Sequence, residues 1–158
     1  MPESLASTLN NVISTELAEL RKLPDVRAEH KPSAAAWSPQ EELGHLIDSA
    51  INNHVRFMRA AIEPRMQGPS YAQEEWVNLH GYQDWPWAEV IAAWDSQNRQ
   101  LAEVIRRIPD AELNTMCTIG NDKPVTLRFL IEDYVVHMQH HLDHLLGREK
   151  VTPYPQAV

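Results

Sequence analysis

Of the eight histidines in the 158-residue chain, four fall between positions 137 and 144: His137, His140, His141 and His144. A neutral imidazole is a common protein ligand for zinc-like metals. Residues four apart on a helix are neighbours on one face, so His137 with His141, and His140 with His144, each offer two nitrogens from one rigid element. A helical wheel ranks the two pairs. With His137 set at zero, the apolar stripe of Leu127, Ile131, Tyr134, Met138, Leu142 and Leu145 centres near about 100°, and His141 falls near about 40°. His144 and His140 lie near about −20° and −60°, turned away from that stripe. A helix packed by its apolar side therefore presents His137 and His141 to the interior, with His144 close by as a supporting or spare group.

Two imidazoles make a weak site, so a third ligand is expected from another segment. The histidine candidates are His30, His45, His54 and His80. His45 and His54 are nine residues apart, about half a turn around a helix, so they cannot face the same point. His45 lies among Leu43, Leu46 and Ile47, whereas His54 lies beside Asn53 and Arg56, which favours His45. Asp48, one turn further on, is a candidate to orient an imidazole, since metal-bound histidines are usually held through their second nitrogen. A lone histidine in such a place is commonly a hydrogen-bonded core residue. The cluster near residue 140 is what brings metal binding forward, with a solvated histidine face as the competing reading.

These side chains need helices to position them. There are only five glycines, and the eleven prolines fall mostly between stretches with helical apolar spacing. The first stretch runs from about Leu5 to Leu23. The second opens at Trp37-Ser38-Pro39-Gln40-Glu41, with Ser38 as N-cap, Pro39 in the first helical position and Glu41 closing a capping box. It continues to about Ile62. Residues 63–85 are irregular, with room for a short helix at Glu74–His80. A third long helix is expected from Pro86 to Ile108, and a fourth from an N-cap at Thr126 to about Leu146, with Gly147 just past its end. Thr115–Ile119 reads as a short extended piece, Gly120-Asn121-Asp122 as a turn, and the residues after Gly147 as an extended arm. Four long helices predict an all-α four-helix bundle, a single domain over residues 1–158.

Composition narrows the function classes. Lys+Arg 14 against Asp+Glu 22 gives a net charge of −8, which argues against a nucleic-acid or anionic-membrane binder. The lone Cys117 excludes an internal disulfide framework and a multi-cysteine zinc finger. No apolar run reaches the ~18 residues of a membrane span, and MPESLASTLN lacks the charged and apolar regions of a signal peptide. A cytoplasmic protein is the expectation. Neither a Ser-His-Asp pattern, a phosphate loop nor a dinucleotide fingerprint is present.

Two segments resemble a known family. Trp37-Ser38-Pro39-Gln40-Glu41-Glu42-Leu43-Gly44-His45-Leu46-Ile47-Asp48 is similar to the first motif of the DinB-like (YfiT-like) superfamily, and His137-x-x-His140-His141-x-x-His144 to its last-helix motif. The stretch from Trp87 through Trp94 to Ile108-Pro109 resembles the family's third helix, so the likeness covers most of the chain. It implies a four-helix bundle running up-down-down-up, commonly a homodimer, with a three-histidine metal centre carried here by His45, His137 and His141. Zinc or nickel, with iron or manganese as further options, is compatible with three nitrogens and no thiolate. Three protein ligands leave a position for water, as in catalytic zinc-type sites. The resemblance thus implies a metal-dependent hydrolase, or a low-molecular-weight-thiol S-transferase of the kind that uses bacillithiol or mycothiol, acting on a small-molecule substrate through metal-bound water or an activated thiolate. A non-catalytic metal- or ligand-binding helical module is the alternative.

Other residues invite weaker readings. Cys117 has no neighbouring His or Lys to activate it and reads as inert. Trp87 and Trp94 are seven apart and read as core, Trp37 as a hydrophobic staple, and Trp76, Tyr82 and Trp85 as candidates for a pocket wall. Arg56, Arg59, Arg65 and Arg128 are possible anchors for an anionic cosubstrate, set against the reading of each as a solvated surface group. The first and third long helices offer apolar faces that could meet a second copy.

Overall fold

Ser38 fixes the start of the helix that matters most here. Its Oγ accepts from the Glu41 amide at 3.1 Å, while Glu41 Oε1 accepts from the Ser38 amide at 3.1 Å and from Lys31 Nζ at 2.6 Å. With Pro39 in the first turn, this capping box begins a 24-residue helix, Pro39–Ile62. The computed structural model describes residues 1–157. Its helices are α1 (Pro2–Lys22), α2 (Asp25–Ala28), α3 (Pro39–Ile62), α4 (Gln73–His80), α5 (Trp87–Arg107) and α6 (Leu127–Leu145). Three short strands, β1 (Met66–Gly68), β2 (Met116–Ile119) and β3 (Val125–Thr126), form one small sheet.

The long helices α1, α3, α5 and α6 make the bundle. α1 packs on α5 and α6, and α3 on the same two. Side-chain contacts give their directions. Gln40 at the start of α3 donates to the carbonyls of Tyr82 and Trp85, just before α5 begins, so α3 and α5 run parallel. Glu42 meets His144, and Phe57 meets Tyr134, so α3 and α6 run antiparallel. Arg148, just past α6, reaches Glu16 late in α1, so these two run parallel. The order is up-down-down-up, as the resemblance implied. Between the helices lie Leu9, Ile13, Leu43, Phe57, Trp94, Leu101 and Leu127, all fully buried.

Two parallel neighbours in succession force the chain to return along the bundle between Ile62 and Trp87. That connection carries β1 and α4. β1 lies parallel to β2, with Met66 opposite Cys117, and β2 lies antiparallel to β3, with Met116 opposite Thr126. The expected extended piece at Thr115–Ile119 is therefore a real strand. Its partners β1 and β3 are too short to show a period. The third long helix starts one residue later than expected, with Pro86 in the cap position. Thr126 caps α6 by accepting from the Phe129 amide, and Gly147 takes the left-handed conformation past its end. The arm beyond it turns back on α6, where the Thr152 carbonyl meets His140 Nε2 at 2.6 Å. Among the described residues no helix is long and apolar enough to cross a membrane.

Tyr82 closes the return segment onto α3. Its ring lies so close that a Cβ on Gly44 would stand 2.1 Å from it, and its hydroxyl donates to Asp48 Oδ1 at 2.7 Å. Gly44→Ala must therefore displace the ring, at an expected cost of about 1–3 kcal/mol. Urea denaturation would read this as a lower midpoint, and an unchanged midpoint would contradict the contact.

Candidate metal centre

The capping box and the antiparallel packing of α3 on α6 bring three imidazoles together. His45 projects from the second turn of α3, and His137 and His141 stack one turn apart on α6. Ring centroids lie 5.4 Å apart for His45 and His137, 4.7 Å for His45 and His141, and 4.6 Å for His137 and His141. Each residue can place one nitrogen so that all three lie within 4.8 Å of one another. The three histidines preferred from the sequence are the three that meet.

His45 is fully buried, and neither of its ring nitrogens has a hydrogen-bond partner. Burying an unpaired polar group costs free energy, about 1–3 kcal/mol for a typical one. A cation at the point where the rings converge would satisfy it. Burial, reinforced by the facing rings of His141 and His137, holds the His45 pKa down to about 3. Burial, with His141 and His140, holds His137 at about 4. Both rings are thus neutral at pH 7, the form that binds a metal. Three imidazole nitrogens without a thiolate suit the zinc-like divalent ions, so the residues present fit such an ion.

A carboxylate completes the arrangement, and it is not the expected one. Glu42, buried and one turn before His45, takes His141 Nδ1 on Oε1 at 2.9 Å and His144 Nδ1 on Oε2 at 2.8 Å. With Nδ1 donating to Glu42, Nε2 is the nitrogen that His141 has left to offer the cluster. Such a carboxylate fixes both tautomer and ring orientation. Asp48, expected in that role, lies on the other flank of the same helix face and instead holds His80 Nδ1 at 2.8 Å and the Tyr82 hydroxyl. Glu42 and Asp48 are each three residues from His45, but only Asp48 was expected to orient an imidazole, and the structure gives that role to Glu42. His144 supports the centre through Glu42. His140 turns away to Thr152 and Tyr154, so the second spacing pair does not converge. His30 is exposed and His54 half-buried, each outside the cluster.

Trp37 departs from its expected role as a staple. The residue it would clasp is the acidic Glu42, and its ring stacks on His45 at 5.0 Å, with planes 29° apart. On the other side of the centre, His137 lines a cavity of about 200 Å³ together with Ser49, Asn53, Arg56, Tyr71 and Asp133. None of Trp76, Tyr82 and Trp85 lines this cavity: Tyr82 is buried beneath α3 and Trp85 donates to the His80 carbonyl. Tyr71, which carried no sequence signal, forms the wall, with Trp76 packed behind it at 5.4 Å. Burial raises the Asp133 carboxyl above the usual range, and this side chain makes no hydrogen bond to any described residue. Cys117 is buried, with its thiol pushed up to about 11 by burial, as its inert reading requires.

A profile of the DinB superfamily matches residues 12–145. A protein of Bacillus mycoides named "putative metal-dependent hydrolase" is 23% identical over 141 residues, covering 88% of this chain and 81% of its own length. A protein of the same description from Oceanobacillus iheyensis is 20% identical over 112 residues, covering 71% of this chain and 64% of its own. The solved structure of YfiT from Bacillus subtilis, described as "a probable metal-dependent hydrolase with an unusual four-helix bundle topology", superposes with a TM-score of 0.78. It is 18% identical and covers 92% of this chain and 84% of its own.

The depressed imidazoles make the metal-free fold sensitive to acid. Above about pH 6.5 the rings are neutral in both folded and unfolded chains and contribute nothing to the pH dependence. As pH falls below that, the unfolded chain binds protons that His45 refuses down to about 3 and His137 down to about 4. Stability is then lost at up to about 1.4 kcal/mol per pH unit for each ring. The urea midpoint of chelator-treated protein should fall from pH 7 to pH 5, and less steeply in His45→Gln. Equal slopes in the two proteins would contradict the burial argument.

Proposed function

This chain belongs to the DinB superfamily, and from that membership and the geometry of the site we propose that it is a divalent-metal-dependent hydrolase acting on a small molecule. His45, His137 and His141 are the metal ligands. The observation that carries the reading is the buried His45 ring, unpaired at both nitrogens and facing two further imidazoles. The relatives named "putative metal-dependent hydrolase" support the reaction class. Zinc or nickel is the first choice of metal, and iron or manganese also suits the donors. The cytoplasm and a homodimer belong to the same proposal, although the apolar faces of α1 and α5 are largely spent on each other within the chain.

When bound, such an ion supplies Lewis acidity and lowers the pKa of water in its open position toward neutrality. The chain's own residues do the rest. Glu42 keeps His141 in the tautomer that offers Nε2, and Trp37 shields His45 from solvent. Asp133, one helical turn before His137 on the cavity wall, is the general base. Its carboxylate takes a proton from the attacking water as the water oxygen bonds to the electrophilic centre. It then returns that proton to the leaving group as the scissile bond breaks.

A thiol in place of water gives the S-transferase reading, with Asp133 taking the thiol proton. A non-catalytic binding module would have no use for an unpartnered, half-buried carboxyl in the same cavity, and for that reason it ranks below both.

Elemental analysis of untagged protein should find about one transition metal per chain, lost in His45→Ala and in His141→Ala while helix content stays the same. Glu42→Gln should weaken metal affinity by about 10–100-fold. Across a panel of small esters, amides and lactams, Asp133→Asn should keep the metal and lose about 10²–10⁴-fold in turnover. Turnover only with an added low-molecular-weight thiol would establish the transferase reading, and no turnover with or without thiol would leave the binding module.

A further inference from the structure

We infer that the substrate of this centre is two-ended, with its reacting group at the histidine cluster and an anionic group, a carboxylate or phosphate, held by Arg56 at the far end of the cavity. The inference rests on the metal reading above. Four arginines were candidate anchors from the sequence, and the structure separates them. Arg59 is committed to both oxygens of Glu63 and to the Gln67 carbonyl, and Arg128 pairs with Glu132. Arg65 is exposed. Only Arg56 lines the cavity that His137 also lines.

Arg56 is held but not neutralised. One N–H donates to the Pro69 carbonyl at 3.0 Å, and the guanidinium stands 5.9 Å from the centre of the Tyr71 ring. No carboxylate of the described residues pairs with it, so the rest of its planar donor fork is uncommitted. Its half-burial disfavours the charge and lowers its pKa, a cost that an anionic ligand would offset. Such a fork matches carboxylate or phosphate oxygens two at a time. Asp122 and Asp133 also line the cavity, so away from the histidine cluster Arg56 is the one cationic side chain among its lining residues against which an anion can rest.

Chain geometry sets the spacing. Arg56 is eleven residues beyond His45 on α3, about 16 Å along the helix axis, and an arginine side chain leans back toward the helix start. The anionic group must therefore stand several ångströms from the reacting atom. A ligand no larger than acetate cannot bridge the two ends.

Hydroxamic acids chelate zinc-type ions and allow the tail to be varied independently. The probes are the monohydroxamates of straight-chain dicarboxylic acids from succinic to suberic, each paired with the uncharged alkyl hydroxamate of equal length. Titration calorimetry on zinc-loaded protein should show the carboxylate tail strengthening binding by about tenfold or more at one preferred length. Arg56→Gln should abolish that advantage, Arg56→Lys should retain part of it, and the alkyl hydroxamates should bind all three proteins equally. A carboxylate advantage that survives Arg56→Gln, or its absence at every length while the alkyl series binds, would overturn the anion site and leave the metal centre standing. Failure of the protein to take up zinc would overturn the metal centre, and failure of every hydroxamate to bind the zinc-loaded protein would overturn its open position; either result removes this inference.

Discussion

The architecture turns on one buried ring. His45 sits in the interior with two nitrogens that no protein group satisfies, and leaving both unpaired costs free energy that a bound group would offset. Everything around it is arranged to keep it there. Trp37 lies flat against it, His137 and His141 face it edge-on, and Glu42 holds His141 from behind. The capping box of Ser38 and Glu41 sets where α3 begins, and hence which residues of its first turns point inward. An ion shared by the three rings, as proposed above, would account for these features together.

The bundle's topology explains why a cavity stands beside the centre. Parallel α3 and α5 require a return segment along the whole bundle. That segment supplies Tyr71 and Gln73 to the cavity wall, while the β2–β3 turn region supplies Ile119 and Asp122. The short sheet ties the two segments together through β1 and β2. The helices thus carry the three clustered histidines and one side of the cavity, and the connections close its other side, as loops on a rigid scaffold commonly do.

Much of this was legible in the sequence. The i, i+4 spacing and the apolar stripe of α6 selected His137 and His141 over His140 and His144, and the half-turn between His45 and His54 selected the former. Those arguments work because a helix has a fixed period and this one has a clear apolar side. The choice between Glu42 and Asp48 was not legible, since both flank His45 at three residues' distance and only the position of α6 decides between them. Trp37 could not be placed on His45 because its stacking depends on how the chain enters the helix. The cavity was the least readable part. Its walls come from positions 49–56, 71–73, 119–122 and 130–137, brought together by a sheet whose strands are two to four residues long, too short to leave a periodic signal.

The central claim is that His45, His137 and His141 share one ion. Zinc-edge X-ray absorption of protein loaded with one equivalent of zinc tests it most directly. Three imidazole nitrogens at about 2.0–2.1 Å, with a lighter oxygen contribution from an open position, is the expected first shell. In His45→Ala, which should not retain the ion, that three-imidazole shell should give way to the oxygen shell of free zinc. A shell dominated by carboxylate oxygens or sulfur, or one unchanged by removing His45, would contradict the account.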